Sequence, residues 1–198
     1  MVAVESPMSV RTSLTHPIRV DWIAAGLPGR IGLTFAPGKH AHSIASEERW
    51  ERDLAADLDR LVQHYGMQVQ VCLLEDHELT SLGIPTLIDE ATARGVRVVR
   101  LPIPDGHVLR SLTPVLTLVD DILAAARSGA AVVVHCRGGL GRAGTVGGCV
   151  LARLGMPVDD VYEALRAARG ANCPETSEQR GFIRRFAGQF GGASAPRT

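Results

Sequence analysis

The stretch AVVVHCRGGLGRAGT, residues 131–145, constrains the fold more than any other. Six residues without a charge are too few for a typical helix and too uniformly apolar for a sheet with one wet face, so they read as a strand covered on both sides. A glycine-rich loop follows immediately, and then an apolar helical pattern. A strand buried on both faces requires further strands beside it and a helical layer above and below.

The rest of the chain supplies them. IRVDWIA and IGLTF read as short strands broken by the turn GLPGR, and APGKHAHS as a loop. Ser46 suits an N-cap with Glu47 and Glu48 in the first turn of a helix whose apolar face is Trp50, Leu54, Leu58, Leu61, Val62 and Tyr65, stopped by Gly66. QVQVCLL is the next strand; after EDHELTSL and the turn GIP comes a helix ending near Gly95, then the strand VRVVRLP and the loop IPDGHVLRS. Thr113 and Pro114 fit the N-cap and first position of a helix burying Val115, Leu118, Val119, Ile122, Leu123 and Ala126. Three more helices are predicted at residues 143–154, 158–169 and 176–189. Strands alternating with helices predict a three-layer α/β domain whose central, largely parallel sheet of about five strands is flanked by helices. Its expected bounds are residues 17–190, between flexible segments 1–16 and 191–198. Ligands in such sheets bind beyond the carboxyl ends of the strands, where residues 136–142 fall.

Composition narrows the partners. The 21 basic residues balance 21 acidic ones, so no overall field gathers nucleic acid or an anionic membrane. The N-terminal residues lack the features of a secretory signal and no run is long enough to span a bilayer, which predicts a cytoplasmic protein. Cys72, Cys136, Cys149 and Cys173 form no CxxC pair and suit a reducing compartment, with buried thiols and one reactive one. His40 and His42 form an HxH pair without a recognisable third metal ligand, and read as part of a solvated loop. Lys39 is the sole lysine.

Three chemistries compete for the glycine loop. Gly139 to Gly144 satisfies GxGxxG, but the dinucleotide pattern needs a second strand ending in an acidic residue, and the acids about 20 residues on, Asp159 and Asp160, lie in a helical stretch. A nucleoside-triphosphate loop needs a lysine before Thr145, where Gly144 stands. The third reading uses the flanking residues. Cys136 to Arg142 is CxxxxxR, extended by His135 to HCxxGxxR; five intervening residues can wrap a nest of inward N–H groups around a tetrahedral dianion, with Gly138, Gly139 and Gly141 permitting the dihedrals. The next helix directs its N-terminal amides to the same spot. Such a cradle also stabilises a thiolate at Cys136, and the planar fork of Arg142 can grip two oxygens.

At these residues the chain resembles the cysteine-dependent dual-specificity protein phosphatases, and most of all their kinase-associated group of the cyclin-dependent kinase inhibitor 3 type. HCRGGLGR, LPGRIGLTFAPGK, LLEDHEL and LPIPDG have counterparts there, over roughly residues 20–187. The resemblance implies the cysteine phosphatase fold and metal-independent hydrolysis of phosphate monoesters through a phosphocysteine, with no cofactor. It makes Cys136 the nucleophile, Arg142 the clamp on the phosphoryl oxygens and Asp105 the general acid. Arg137, Gly138, Gly139, Leu140 and Gly141 line the substrate phosphate, His135 fixes the loop, and Gln179 either positions water or sits on a solvated helix face. Asp76 and Glu78 are rivals to Asp105 more simply read as helix-start charges. Ala143 departs from the family's usual Ser or Thr and predicts a slow second step.

The expected partners are a phosphorylated protein substrate and, in the loop, phosphate, sulfate or a similar oxyanion. Arg137 beside the nucleophile suits phosphoinositides, whereas apolar Leu140 stands where lipid-directed relatives tend to carry lysine; phosphorylated Tyr, Ser or Thr in proteins is favoured. A lipid or other small phosphate ester remains an alternative. So do a non-catalytic phosphate-binding module and, from a different class, a thiol redox enzyme. Cys72 reads as a core residue or as a disulfide partner protecting Cys136.

Overall fold

The computed structural model describes residues 10–42 and 48–192. Its strands are β1 (Val10–Arg11), β2 (Asp21–Ile23), β3 (Arg30–Phe35), β4 (His40–His42), β5 (Arg49–Glu51), β6 (Met67–Cys72), β7 (Arg97–Arg100) and β8 (Ala131–Cys136). The helices are α1 (Leu54–Gln63), α2 (Asp76–Ser81), α3 (Leu87–Ala93), α4 (Thr113–Arg127), α5 (Arg142–Arg153), α6 (Val158–Arg169) and α7 (Ser177–Phe190).

The apolar run at 131–136 takes the middle of a five-stranded sheet ordered β2-β3-β8-β6-β7, and all six of its residues are buried. Only β2 runs antiparallel to its neighbour. Alternation along β8 divides the interior. Val132, Val134 and Cys136 face a core built with α4 to α7, and Val133 faces a second core built with α1, α2 and α3. The buried face of α4 is Val115, Leu118, Val119, Ile122, Leu123 and Ala126, as the periodicity predicts. Its N-cap is Leu112, one position earlier than Thr113; the Thr113 N–H instead donates to Ser111 Oγ at 3.3 Å.

A second, three-stranded sheet of order β1-β5-β4 corrects three expectations. Residues 40–42 are a strand and not a loop, and His40 Nε2 is engaged with the Arg52 carbonyl at 2.9 Å. Val10–Arg11, within the segment expected to be loose, pairs with β5. The helix expected from Ser46 starts at Leu54, with Asp53 as its N-cap accepting from the Ala56 N–H at 2.8 Å; Ser46 and Glu47 lie outside the described residues, and Glu48 pairs with Arg11. The reason is burial of Arg52. Its guanidinium grips Asp57 through two 2.7 Å bonds and donates to the His16 carbonyl at 2.8 Å, with both side chains almost fully enclosed. That pairing, with the Trp50 ring tilted against that of Phe35 at a centroid distance of 5.3 Å, holds residues 49–51 extended although their apolar spacing also fits a helix.

Candidate active site

The site grows from the end of β8. Parallel register sets Cys136 beside Phe35 of β3, and the chain then leaves the sheet at its carboxyl edge. Every carbonyl from residue 137 to 141 is engaged by the surrounding scaffold. That of Arg137 accepts from the Ala36 N–H at 3.4 Å and from Lys39 Nζ at 3.3 Å. Those of Gly138 and Gly139 accept from Arg169, at the end of α6, at 3.0 and 3.1 Å. The Leu140 carbonyl accepts from the Gly144 N–H at 3.1 Å and Cys173 Sγ at 3.3 Å, and the Gly141 carbonyl from the N–H and hydroxyl of Thr145 at 2.8 and 2.9 Å. In a trans peptide the N–H points opposite to the C=O, so pinning these five carbonyls turns the N–H groups of residues 138–142 the other way. The Gly139 N–H donates to Cys136 Sγ at 3.2 Å.

Glycine is required here. Gly139 has φ +76°, and a Cβ there would meet the Thr34 carbonyl oxygen at 2.4 Å. A Cβ on Gly141 would meet Glu175 Oε2 at 2.3 Å and Gln179 Nε2 at 2.7 Å. The loop thus packs directly against the segment leading into α7.

Arg142 opens α5 and is 1% exposed. Its Nη1 and Nη2 donate to Glu78 Oε2 and Oε1 at 2.6 and 2.8 Å, Nη1 also to the Ile103 carbonyl at 2.8 Å, and Nη2 lies 2.8 Å from Asp105 Oδ1. Nε has no partner. Burial works against the guanidinium charge, but the Glu78 hydrogen bonds and the nearby Cys136 and Asp105 outweigh it and keep Arg142 cationic. Asp105 remains more than half exposed, on the loop after β7, and also accepts from the Gly106 N–H at 3.1 Å.

Cys136 and Asp105 line one cleft of about 580 Å³, and the buried Arg142 reaches it through its contact with Asp105; the exposed Arg137 and half-buried Gly138 also line it, and Leu140 is half-buried against the core. Glu175 forms part of the same wall. Burial first, then the Asp105 charge, push its carboxyl above the usual range, against the pull of the Gly141 N–H. Gln179 is fully buried, not solvated; its Oε1 accepts from the Thr176 N–H at 3.1 Å, its own backbone N–H donates to Thr176 Oγ1 at 3.2 Å, and Nε2 has no partner among the described residues. His135 lies under the sheet, where Gln70 of β6 meets its Nε2 at 2.9 Å, and burial lowers its pKa to about 4, leaving the ring neutral. Asp76 is exposed and pairs with Arg100 at 2.7 Å, away from the cleft.

Cys72 is not brought to Cys136. It pairs in register with His135 and belongs to the core on the opposite face of the sheet; all four cysteines are free. Alternation of side chains along a strand makes that separation unavoidable, so the disulfide reading of Cys72 gives way to the core one. Sequence reasoning missed the Glu78 grip on Arg142 and the Arg169 support of the loop, since both depend on long-range packing; Lys39 was visible as the sole lysine, but without a place.

Comparison with known proteins agrees with this geometry. Residues 47–180 match the family model described as PTP-SAK, Swiss Army Knife protein, DSP-PTPase phosphatase domain. Cyclin-dependent kinase inhibitor 3 from Rattus norvegicus and that from Homo sapiens are each 23% identical over 175 residues, covering 86% of this chain and 79% of theirs. A kinase associated phosphatase carrying serine for its catalytic-site cysteine superposes with a TM-score of 0.79 at 22% identity, over 90% of this chain and 98% of the other. For Tk-PTP in its active form the TM-score is 0.67 at 28% identity, over 85% and 97%. The family model spans β5 through the start of α7, loop included, and the chain belongs to the DSP-PTPase phosphatase domain family.

Proposed function

We propose that the protein hydrolyses phosphotyrosine and phosphoserine or phosphothreonine in proteins through a phosphocysteine at Cys136. The observation that carries this reading is the outward bonding of all five carbonyls from 137 to 141, which turns the N–H groups of 138–142 the other way, where that of Gly139 meets Cys136 Sγ and that of Gly141 the Glu175 carboxyl; this donor set suits an oxyanion beside the thiol. The Cys136 thiolate attacks phosphorus in line. The S–P bond forms as the ester P–O bond breaks, and Asp105 gives its proton to the departing oxygen. Water then attacks phosphorus, its proton passes to Asp105, and the S–P bond breaks to return the thiolate. Besides substrate and water, the proposed chemistry uses only groups of the chain. Loop amides and Arg142 stabilise charge on the equatorial oxygens.

Arg142 has two edges for this work. Glu78 occupies the Nη1/Nη2 edge, so the Nε/Nη2 edge meets the phosphoryl group, and Nη2 exchanges Asp105 for a phosphate oxygen as substrate enters. That exchange frees Asp105 to approach the ester oxygen. Gln179 Nε2, beside Gly141, suits the attacking water.

Protein substrates are favoured by the cleft walls. Asp105 and Glu175 in the lining disfavour a polyphosphorylated headgroup, while Trp50 and Ala41 in the same lining suit an aromatic side chain. Free thiols fit action in the reducing cytoplasm. Hydrolysis of p-nitrophenyl phosphate and of phosphotyrosyl and phosphoseryl peptides in the presence of EDTA tests the reading: wild type turns them over, Cys136→Ser does not, and Asp105→Ala is slower by about 100-fold or more. Oxyanion binding without turnover by wild type, or faster hydrolysis of a phosphoinositide than of the peptides, contradicts it.

A further inference from the structure

The cleft contains a cation that the mechanism above leaves unused. Lys39, in the turn between β3 and β4, is 8% exposed and lines the cleft with Cys136 and Gly138. Its Nζ lies 4.3 Å from the Trp50 ring centroid and 4.8 Å from that of Phe35, and donates to the Arg137 carbonyl at 3.3 Å. Among the described residues, no salt bridge joins it to a carboxylate. Acids of the neighbouring elements are committed elsewhere: Asp57 to Arg52, Asp21 to Arg169, and Glu51 to Arg49 on β5.

We propose that the Lys39 ammonium is a second cation of the oxyanion site, whose charge sets how tightly dianionic phosphate monoesters are held. The proposal rests on the phosphatase reading of the loop. Burial lowers the Lys39 pKa to about 8; the Cys136 thiolate acts to raise it, and Arg52, Arg137 and Arg169 to lower it. His40 and His42 follow it on β4, and Asp105 and Glu175 line the same cleft. A largely desolvated ammonium held against aromatic rings and crowded by three guanidinium groups has the Cys136 thiolate as an opposing charge but, among the described residues, no carboxylate in a salt bridge with it. A dianion seated over the loop amides supplies a further counter-charge. By linkage, the bound dianion raises the Lys39 pKa, and deprotonation of Lys39 weakens dianion binding. A packing role alone predicts neither effect.

Because the chain has a single lysine, protein labelled with ¹³C at lysine Cε gives one side-chain resonance, which reports this group without ambiguity. The expected midpoint is about pH 8 in the free protein, rising by about one unit in saturating inorganic phosphate, equivalent to a tenfold linkage. In parallel, KM for p-nitrophenyl phosphate rises above pH 8 while kcat does not. Lys39→Met raises KM about tenfold at pH 7 with little change in kcat, and Lys39→Arg restores the low KM but removes its alkaline rise. Hydrolysis that depends on Cys136 establishes the phosphatase reading separately. With it in hand, a resonance unmoved by phosphate that competitively inhibits the enzyme, or a Lys39→Met enzyme of wild-type KM, overturns the Lys39 proposal alone. Absence of hydrolysis and of phosphate binding overturns both.

Discussion

At the scale of single residues, Arg142 depends on Glu78. A guanidinium this enclosed is stable only when its donors are met, and Glu78 meets one on each terminal nitrogen. Glu78→Gln leaves a buried charge without its counter-charge and is expected to cost about 3 kcal/mol in chemical unfolding, with a fall in kcat/KM as the Nε/Nη2 edge loses its aim. Unchanged stability contradicts the pairing. Burial alone would raise the Glu78 carboxyl, but the Arg142 hydrogen bond and the Glu75 backbone hold it below the usual range. The contribution is therefore present at neutral pH and lost as acid protonates the folded carboxylate, below the ordinary glutamate value. A second prediction concerns Ala143, fully buried and without a hydroxyl to steady the leaving thiolate. Rapid-quench kinetics should show a burst of phosphoenzyme in wild type, and Ala143→Ser should shrink the burst and raise kcat; no burst and no effect of serine contradicts it. Cys136, Arg142 and Asp105 were legible as residue types at a telling spacing. Glu78 was legible only as a helix-start acid, because its partner lies 64 residues away and neither neighbourhood advertises the other.

At the scale of elements, the loop is shaped by a helix it does not adjoin in sequence. Arg169, the last residue of α6, binds the carbonyls of Gly138 and Gly139 and is itself held by Asp21 of β2 at 2.6 Å. Arg169→Ala releases two of the five carbonyls. Misplacement of a catalytic loop by about 1 Å can reduce rate by about 100-fold, so kcat/KM should fall by that order while unfolding stability changes much less; wild-type kinetics contradicts the role. The same contrast explains which elements were readable. α4 and β8 announce themselves because their apolar periods are long and unmixed. β5 did not, since Trp50 and Leu54 are four apart and satisfy a helical face as well as an extended one, and the deciding interaction is the buried Arg52–Asp57 pair. Short β4 has too few residues to display a period at all.

At the scale of the whole molecule, β8 divides two cores, and His135 is a polar residue of that strand buried at the divide. Its folded pKa, about 4, lies below the ordinary histidine value near 6.5. Between those values the unfolded chain takes up a proton that the folded ring refuses, so stability falls as pH drops through this window and is unaffected by this group above it. Its share reaches up to about 1.4 kcal/mol per pH unit. Denaturant titrations from pH 7 to 4.5 should give a steeper acid loss for wild type than for His135→Gln; parallel curves contradict the buried neutral ring.

The most direct test of the central claim is the chemical identity of the intermediate. Enzyme mixed with ³²P-labelled phosphopeptide, quenched within milliseconds and digested should carry its label on the peptide containing Cys136, and Cys136→Ser should carry none. Label on a different residue, or turnover by Cys136→Ser at the wild-type rate, contradicts the account.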